Sequence, residues 1–330
     1  MFLLLSLKMF DGSVKHNVIL HDILTYSRHK FICVTYEEGT DTEIGRMIDW
    51  FENQNRDIEK EWKLLFDEFT SKNSAHRMGV AVKVCPDVVA NNFDGREYTI
   101  KLDNVNAFLL KPKRIIVENS RGDRNFLLAI ADKGLRERIF TLQTQGGLTF
   151  EHCGGIDGVA SRLTHEFIPE TGSEIKCWVL IDSDSTYAGH ISDAATKVIS
   201  LCEKANIQYL CLKKRAIENY IPNEVLEEFL DTDEKKISEA LAALNTLSEE
   251  QRNHYHMSNG FKNNTCKKES DLYKGLAVQE IRRLSKGFGG AIKHVYPDDI
   301  IDLQAIHEKF DEMPDEFIAP LKYVTEMIRG

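Results

Sequence analysis

From Lys113 onward, short apolar runs alternate with longer stretches of helical periodicity, and this rhythm constrains the fold more than any other feature of the chain. Residues 114–117, 148–153, 175–181 and 207–212 read as strands. Helical patterns follow them at 123–138, 157–167, 191–205 and from about 216, the last interrupted near Pro222. Strands separated by helices of this length predict βαβ units, so the expected class is α/β with a parallel sheet flanked by helices. The run Cys177-Trp178-Val179-Leu180-Ile181 shows no polar alternation, as a strand does when helices cover both faces of its sheet.

At 330 residues the chain is long enough for two domains. The rhythm divides it into an N-terminal mixed α/β module, 1–112, suited to docking or dimerisation, and a domain of 113–330 with a helical, basic C-terminal extension. In the first module, Ile44, Met47, Ile48, Phe51, Ile58, Trp62, Leu65, Phe66 and Phe69 form a stripe at helical spacing, predicting a solvated amphipathic helix over 41–70. Strand-like stretches follow at 79–84, 97–102 and 108–110, and Pro112 ends the module. The first apolar run, 2–7, is broken by Ser6 and ended by Lys8. It is too short to span a bilayer and lacks the flanks of a secretory signal, so it reads as a buried first strand of a cytoplasmic protein without membrane contact. Seven cysteines, scattered and without a CxxC pair, read as reduced thiols and argue against a disulfide framework or a zinc site.

The net charge is −10, so contact with nucleic acid would need a local basic surface or bound cations. The charge is polarised. An acidic helical stretch over 224–253 precedes a basic one containing Lys262, Lys267, Lys268, Lys274, Arg282, Arg283, Lys286 and Lys293, where phosphate contacts are expected.

In an open parallel sheet, ligands bind beyond the carboxyl ends of the strands. The first strand of the second domain ends on Glu118, with Asp123 about one turn further on. The second leads into Gly154-Gly155, and the third into Asp182-Ser183-Asp184. In an extended chain residues two apart face the same way, which would aim Asp182 and Asp184 at one spot. Gathered carboxylates repel unless protonated or bound to a cation, and hard oxygen ligands suit Mg²⁺ or Mn²⁺. Such ions could support phosphodiester cleavage. Taken singly, Asp123 reads as a helix N-cap. Glu218, in "LKKRAIENYIP", reads either as the start of a helix beside surface charges Lys213, Lys214 and Arg215, or as a further ligand with those bases holding phosphate; its spacing leaves both open.

The ordered set of Glu118, Gly154-Gly155 and Asp182-x-Asp184 resembles the Toprim domain of topoisomerases, bacterial primases and OLD (overcoming lysogenization defect) nucleases. "RAIENYIP", "HMSNGFK" and "LSKGFGGAI" look like motifs of the OLD-like branch found in phage-defence systems. The resemblance covers roughly 113–295. It implies a Toprim-like sheet and a Mg²⁺- or Mn²⁺-dependent endonuclease. Glu118, Asp123, Asp182, Asp184 and Glu218 would hold the metals, Glu118 and Asp182 would be catalytic, and Lys286 (or Lys262) would stabilise the cleaved phosphate. Glu118 and Asp123 stand one residue further apart than the family's usual spacing, with Gly122 in the turn to absorb the difference. Long members carry an ABC-type ATPase domain. No GxxxxGK[ST] phosphate loop occurs here, so the resemblance implies a separate ATPase or sensor subunit, together with homo-oligomerisation. DNA is favoured over RNA as substrate. A ribonuclease cutting structured RNA such as tRNA, and a non-catalytic Toprim-like subunit, remain the alternatives.

Overall fold

The computed structural model describes residues 2–29, 31–73, 81–93, 98–119, 121–165, 172, 174–230, 234–261, 271–310 and 313–329. Two four-stranded sheets, both wholly parallel, stand at its centre. The first contains β1 (Phe2–Leu5), β2 (Cys33–Tyr36), β3 (Ala81–Cys85) and β4 (Tyr98–Lys101), in the order β2-β1-β3-β4. The second contains β5 (Lys113–Val117), β6 (Leu148–His152), β7 (Cys177–Ile181) and β8 (Gln208–Cys211), in the order β6-β5-β7-β8. The α/β class and the parallel sheet expected from the rhythm of apolar runs are observed. The unexpected result is that the first module repeats the strand order of the second.

Helices α1 (Val14–Arg28), α2 (Asp41–Glu52), α3 (Arg56–Asn73) and α4 (Val105–Leu110) accompany the first sheet. The stripe predicted over 41–70 as one solvated helix is two helices separated by 53–55. Of the stripe's aromatic residues, Phe51, Trp62 and Phe66 are buried. Trp50 and Trp62 meet at 6.3 Å, and Phe51 and Phe66 at 5.9 Å. A capping box between Thr40 and Glu43 starts α2, while Asn55 accepts from the Asp57 amide at the start of α3. These local bonds break a period that would otherwise run on. Residues 108–110, read as strand, lie in α4, where Phe108 and Leu109 are buried.

In the second half, α5 (Gly122–Ile130), α6 (Lys133–Thr144), α7 (Ile156–His165) and α8 (Asp193–Lys204) connect the strands. The helix predicted over 123–138 is divided at Ala131 because Asp132 caps a new one, accepting from the Leu135 amide at 2.8 Å. The chain after Glu218 is helical as expected, in α9 (Asn223–Phe229), α10 (Lys235–Leu244), α11 (Glu249–His254) and the later helices Val278–Arg283, Ile300–Glu308 and Asp315–Ile328. All five residues of β7 are buried. No described helix is long and apolar enough to cross a membrane.

The halves meet over two buried lysines. The Lys113 amine donates to Phe31 O, and the Lys176 amine donates to Lys111 O at 2.7 Å while lying 4.3 Å from the Phe108 ring centroid. Burial pushes Lys113 down to about 7 and Lys176 well below the usual lysine range. Ile175, just before β7, packs into the core of the first sheet.

Candidate functional site

The strand order of the second sheet reverses between β5 and β7, the adjacent pair from which the chain departs in opposite directions. A crevice opens beyond the carboxyl ends of such a pair. Glu118 is the first residue after β5, and Asp182 the first after β7. Their register pairs Val117 with Leu180, so Glu118 is level with Ile181 and Asp182 follows one residue beyond.

Backbone amides then orient the acids in sequence. Asp123, near the start of α5, turns back to accept from the Asn119 amide at 2.7 Å. Glu118 Oε1 accepts from the Asp182 amide at 2.8 Å. Asp182 Oδ1 accepts from the Ile217 amide at 3.1 Å. Each bond ties one acid to backbone at or beside the next, and the last amide immediately precedes Glu218. Asp123 is therefore not an N-cap, since the α5 cap position is Arg121. The glycine pair belongs to the same assembly. The amides of Gly154 and Gly155 both donate to Glu118 O at 3.1 Å. Their φ values of 74° and 113° are the reason for glycine, because a Cβ at either would meet nothing within 4 Å.

Glu118 and Asp123 are buried, Asp182 and Glu218 half-buried, and Asp184 exposed. Burial pushes Glu118 up to about 8, reinforced by repulsion from Asp123, Asp184 and Glu218, while the Asp182 amide partly offsets it. Burial, with repulsion from Glu218, pushes Asp123 up to about 7 against the pull of the Asn119 and Glu118 amides. Asp182 stands well above the usual carboxylate range through burial and repulsion from all four other acids. The five acids foreseen from the sequence thus interact in one place, and the charges acting on Glu118, Asp123 and Asp182 are those of other acids in the set. This is an all-oxygen donor set whose repulsion a divalent cation would relieve, so its chemistry fits Mg²⁺ or Mn²⁺. As the side chains stand, no three His, Cys, Asp or Glu groups among the described residues are arranged to hold a metal ion. Three of the acids are turned instead to their amides.

Asp184 reaches the site differently from the sequence expectation. The chain after β7 is not extended, since Asp184 has φ 49° and its amide donates to Arg215 O at 2.9 Å. A turn, not strand alternation, brings its charge to bear on Glu118 and Asp182.

Glu218 lies in the 3-10 turn Ile217–Tyr220. The bases before it are integrated into the fold to different degrees. Lys213 is exposed. The Lys214 amine donates to Asn219 O at 3.3 Å and lies 4.7 Å from the Tyr220 ring centroid, and the Arg215 guanidinium donates to His254 O at 3.3 Å.

Lys286 is exposed on a loop that crosses the segment 257–261 in backbone contact. A Cβ on Gly260 would lie 2.1 Å from Leu284 O, and one on Gly287 2.5 Å from Met257 O. Phe288 N and Gly289 N donate to Met257 O and Ser258 O at 2.8 and 2.9 Å. The glycines of "HMSNGFK" and "LSKGFGG" let two loops pack as one. Lys262, Lys267 and Lys268 lie outside the described residues. Lys274 pairs with Asp271, and Arg283 with Glu280 at 3.6 Å.

Sequence reasoning assigned no role to four residues that build this site. Buried Asn219 donates to Arg252 O and Tyr255 O at 2.8 and 2.9 Å. Buried Tyr296 donates to Ile217 O at 3.2 Å, behind the amide that holds Asp182. Ser185 and His254 hydrogen-bond in the interior. Asn219 stood inside a quoted motif, but only the tertiary structure shows what the others touch. Compared with family models, with curated proteins and with solved structures, the chain finds no match.

Proposed function

We propose that this chain is a Mg²⁺- or Mn²⁺-dependent nuclease that hydrolyses phosphodiester bonds, with DNA favoured over RNA. The observation that carries the reading is the convergence of five mutually repelling carboxylates at the switch point between β5 and β7, with Glu118 pushed up to about 8 and Asp123 to about 7. Keeping such a cluster costs stability, and perturbed groups in a crevice mark functional sites more often than structural ones.

Glu118, Asp123, Asp182, Asp184 and Glu218 would hold the cations. When bound, these would supply the Lewis acidity that lets water attack the phosphodiester and that neutralises the departing oxygen. The chain's own part is orientation. The amides of Asn119, Asp182 and Ile217 set the rotamers of three carboxylates, and the Gly154-Gly155 turn anchors the backbone of Glu118. Glu118, at the end of β5 beside the other acids, is the group proposed to take a proton from the attacking water. Lys286, exposed and carried on a rigid loop, is the group proposed to meet the substrate phosphate.

The resemblance to Toprim nucleases of the OLD-like branch extends the proposal. The chain would act as the effector of a bacterial anti-phage system, as a homo-oligomer beside a separate ATPase or sensor subunit.

The test is cleavage of supercoiled plasmid and of total cellular RNA, with Mg²⁺ or Mn²⁺, by wild type, Glu118→Ala and Asp182→Ala. Metal-dependent cutting lost in both variants supports the reading, and the substrate cut names its class. Cutting that survives both substitutions would overturn the site. Wild-type protein that binds Mn²⁺ yet cuts neither substrate, even with its partner subunit, would be a non-catalytic subunit.

A further inference from the structure

Asp184 is one of two described non-glycine residues with positive φ. A left-handed conformation at a residue other than glycine is strained and persists where the surroundings enforce it. Here they do so from three sides. Ser183 Oγ donates to Lys214 O at 2.8 Å, the Asp184 amide donates to Arg215 O at 2.9 Å, and the Ser192 amide closes the loop onto Ser183 O at 3.0 Å. Ser185, with no exposed surface, has its Oγ 2.8 Å from Nδ1 of buried His254. The 214–215 backbone that receives two of these bonds is itself fastened to the same helix end, since the Arg215 amide donates to Asn253 O at 2.9 Å and its guanidinium to His254 O.

The end of α11 is thus a hub. It holds Ser185 through His254, the 3-10 turn bearing Glu218 through Asn219, and the Lys286 loop through Tyr255, whose hydroxyl donates to Leu284 O at 2.7 Å. Of these contacts, the His254 imidazole is the side chain that reaches the turn carrying Asp184.

We propose that His254 is a positioning residue, whose hydrogen bond to Ser185 holds the 182–185 turn left-handed at Asp184 and so presents that carboxylate to the cation shared with Asp182 and Glu218. The inference rests on the metal-site reading above for its consequence, but not for the geometry. Residues that orient a ligand from behind typically change metal affinity about 10- to 100-fold when removed.

The test uses the full chain prepared without metal, as His254→Leu, Ser185→Ala, the double variant and His254→Asn. The asparagine amide can reach the place of Nδ1 and restore the bond. Amide hydrogen exchange is followed over 182–187, with 113–117 as the internal control, and Mn²⁺ affinity is measured by electron paramagnetic resonance. The expected result is faster exchange over 182–187 with 113–117 unchanged in His254→Leu and Ser185→Ala. Mn²⁺ binding should weaken about 10-fold in each single variant and no further in the double, with both readouts restored in His254→Asn. Unchanged exchange over 182–187 in a folded His254→Leu or Ser185→Ala, or single effects that multiply in the double, would overturn it. If His254→Leu does not fold, Ser185→Ala decides alone by the same readouts, since it removes one hydroxyl. Should wild type bind no Mn²⁺ while exchange responds as expected, the metal-site reading falls and the positioning role stands.

Discussion

The two sheets share a strand order, and both leave a crevice where the first and third strands of the half lie side by side, yet their strand ends are furnished in opposite ways. In the second sheet Glu118 and Asp182 follow β5 and β7 and face other acids. In the first, Ser6 follows β1, and the acid that enters, Glu37 after β2, is neutralised. It accepts from Ser6 Oγ at 2.5 Å and the Leu7 amide at 3.0 Å, and pairs with Lys83 at 2.5 Å. Asp87, beyond β3, pairs with Lys8. Burial pushes Glu37 up, but the bonds from Lys83, Ser6 and Leu7 and the Lys83 charge outweigh it and leave Glu37 below the usual range. The scaffold supplies a crevice twice. In only one copy do the acids raise one another's proton affinity, and that difference, not the fold, marks the candidate site.

The sharpest way to break this comparison is to exchange acids for neutral groups in each crevice. Asp182→Ala should lower metal-dependent cleavage on the order of 10²-fold or more while leaving the melting temperature unchanged or higher, because it removes a repelled, half-buried charge. Asp87→Ala should leave cleavage unchanged. A parallel assay of both variants, with thermal unfolding as control, checks the pair, and equal activity in the two would dissolve the distinction.

The second test is the sign of the pH dependence. Glu118 and Asp123 bind protons more tightly folded than unfolded, so stability they share is full below the ordinary carboxylate range and lost as pH rises to about 8. Thermal melts in EDTA should therefore show falling stability over that window, flattened in the doubly neutral Glu118→Gln/Asp123→Asn variant and in excess Mn²⁺. Glu37 has the opposite sign. Its contribution is present above the ordinary glutamate range and lost as pH falls through its depressed value.

Glu37→Gln should accordingly cost about 1–2 kcal/mol at neutral pH, because it removes the ion pair with Lys83 and weakens bonds to Ser6 and Leu7. Denaturant unfolding measures this, and nuclease activity should not move. The smallest effects are expected at the helix caps, where the halves should behave alike. Ser13→Ala at α1 and Ser192→Ala at α8 should each cost ~1 kcal/mol by the same measurement.

Much of the second half was legible because its signals are local. Apolar runs such as 177–181 declare strands by composition, and acids directly after them fall at strand ends whatever the packing. The first half was read less well. Its helices α2 and α3 share one apolar period, so the break at 53–55, made by caps and side-chain bonds, left no trace in periodicity. The repeated strand order was invisible for the same kind of reason, since strand neighbours are long-range choices. Asp184 was assigned to the right cluster by the wrong geometry. Alternation along a strand was assumed, and a left-handed turn does the work.

By itself, then, the sequence determined the α/β class, the acids at the ends of β5 and β7, and the glycines that permit their turns, because hydrophobic period and backbone permissiveness act over a few residues. Tertiary structure alone decided that Asn119, Asp182 and Ile217 lend their amides to the acids. It alone decided that α11 anchors three loops through Asn219, His254 and Tyr255, and that Glu37 meets Lys83 while Glu118 stands among other acids. Those outcomes depend on which distant segments become neighbours, and burial then sets the strength of every charge they bring together.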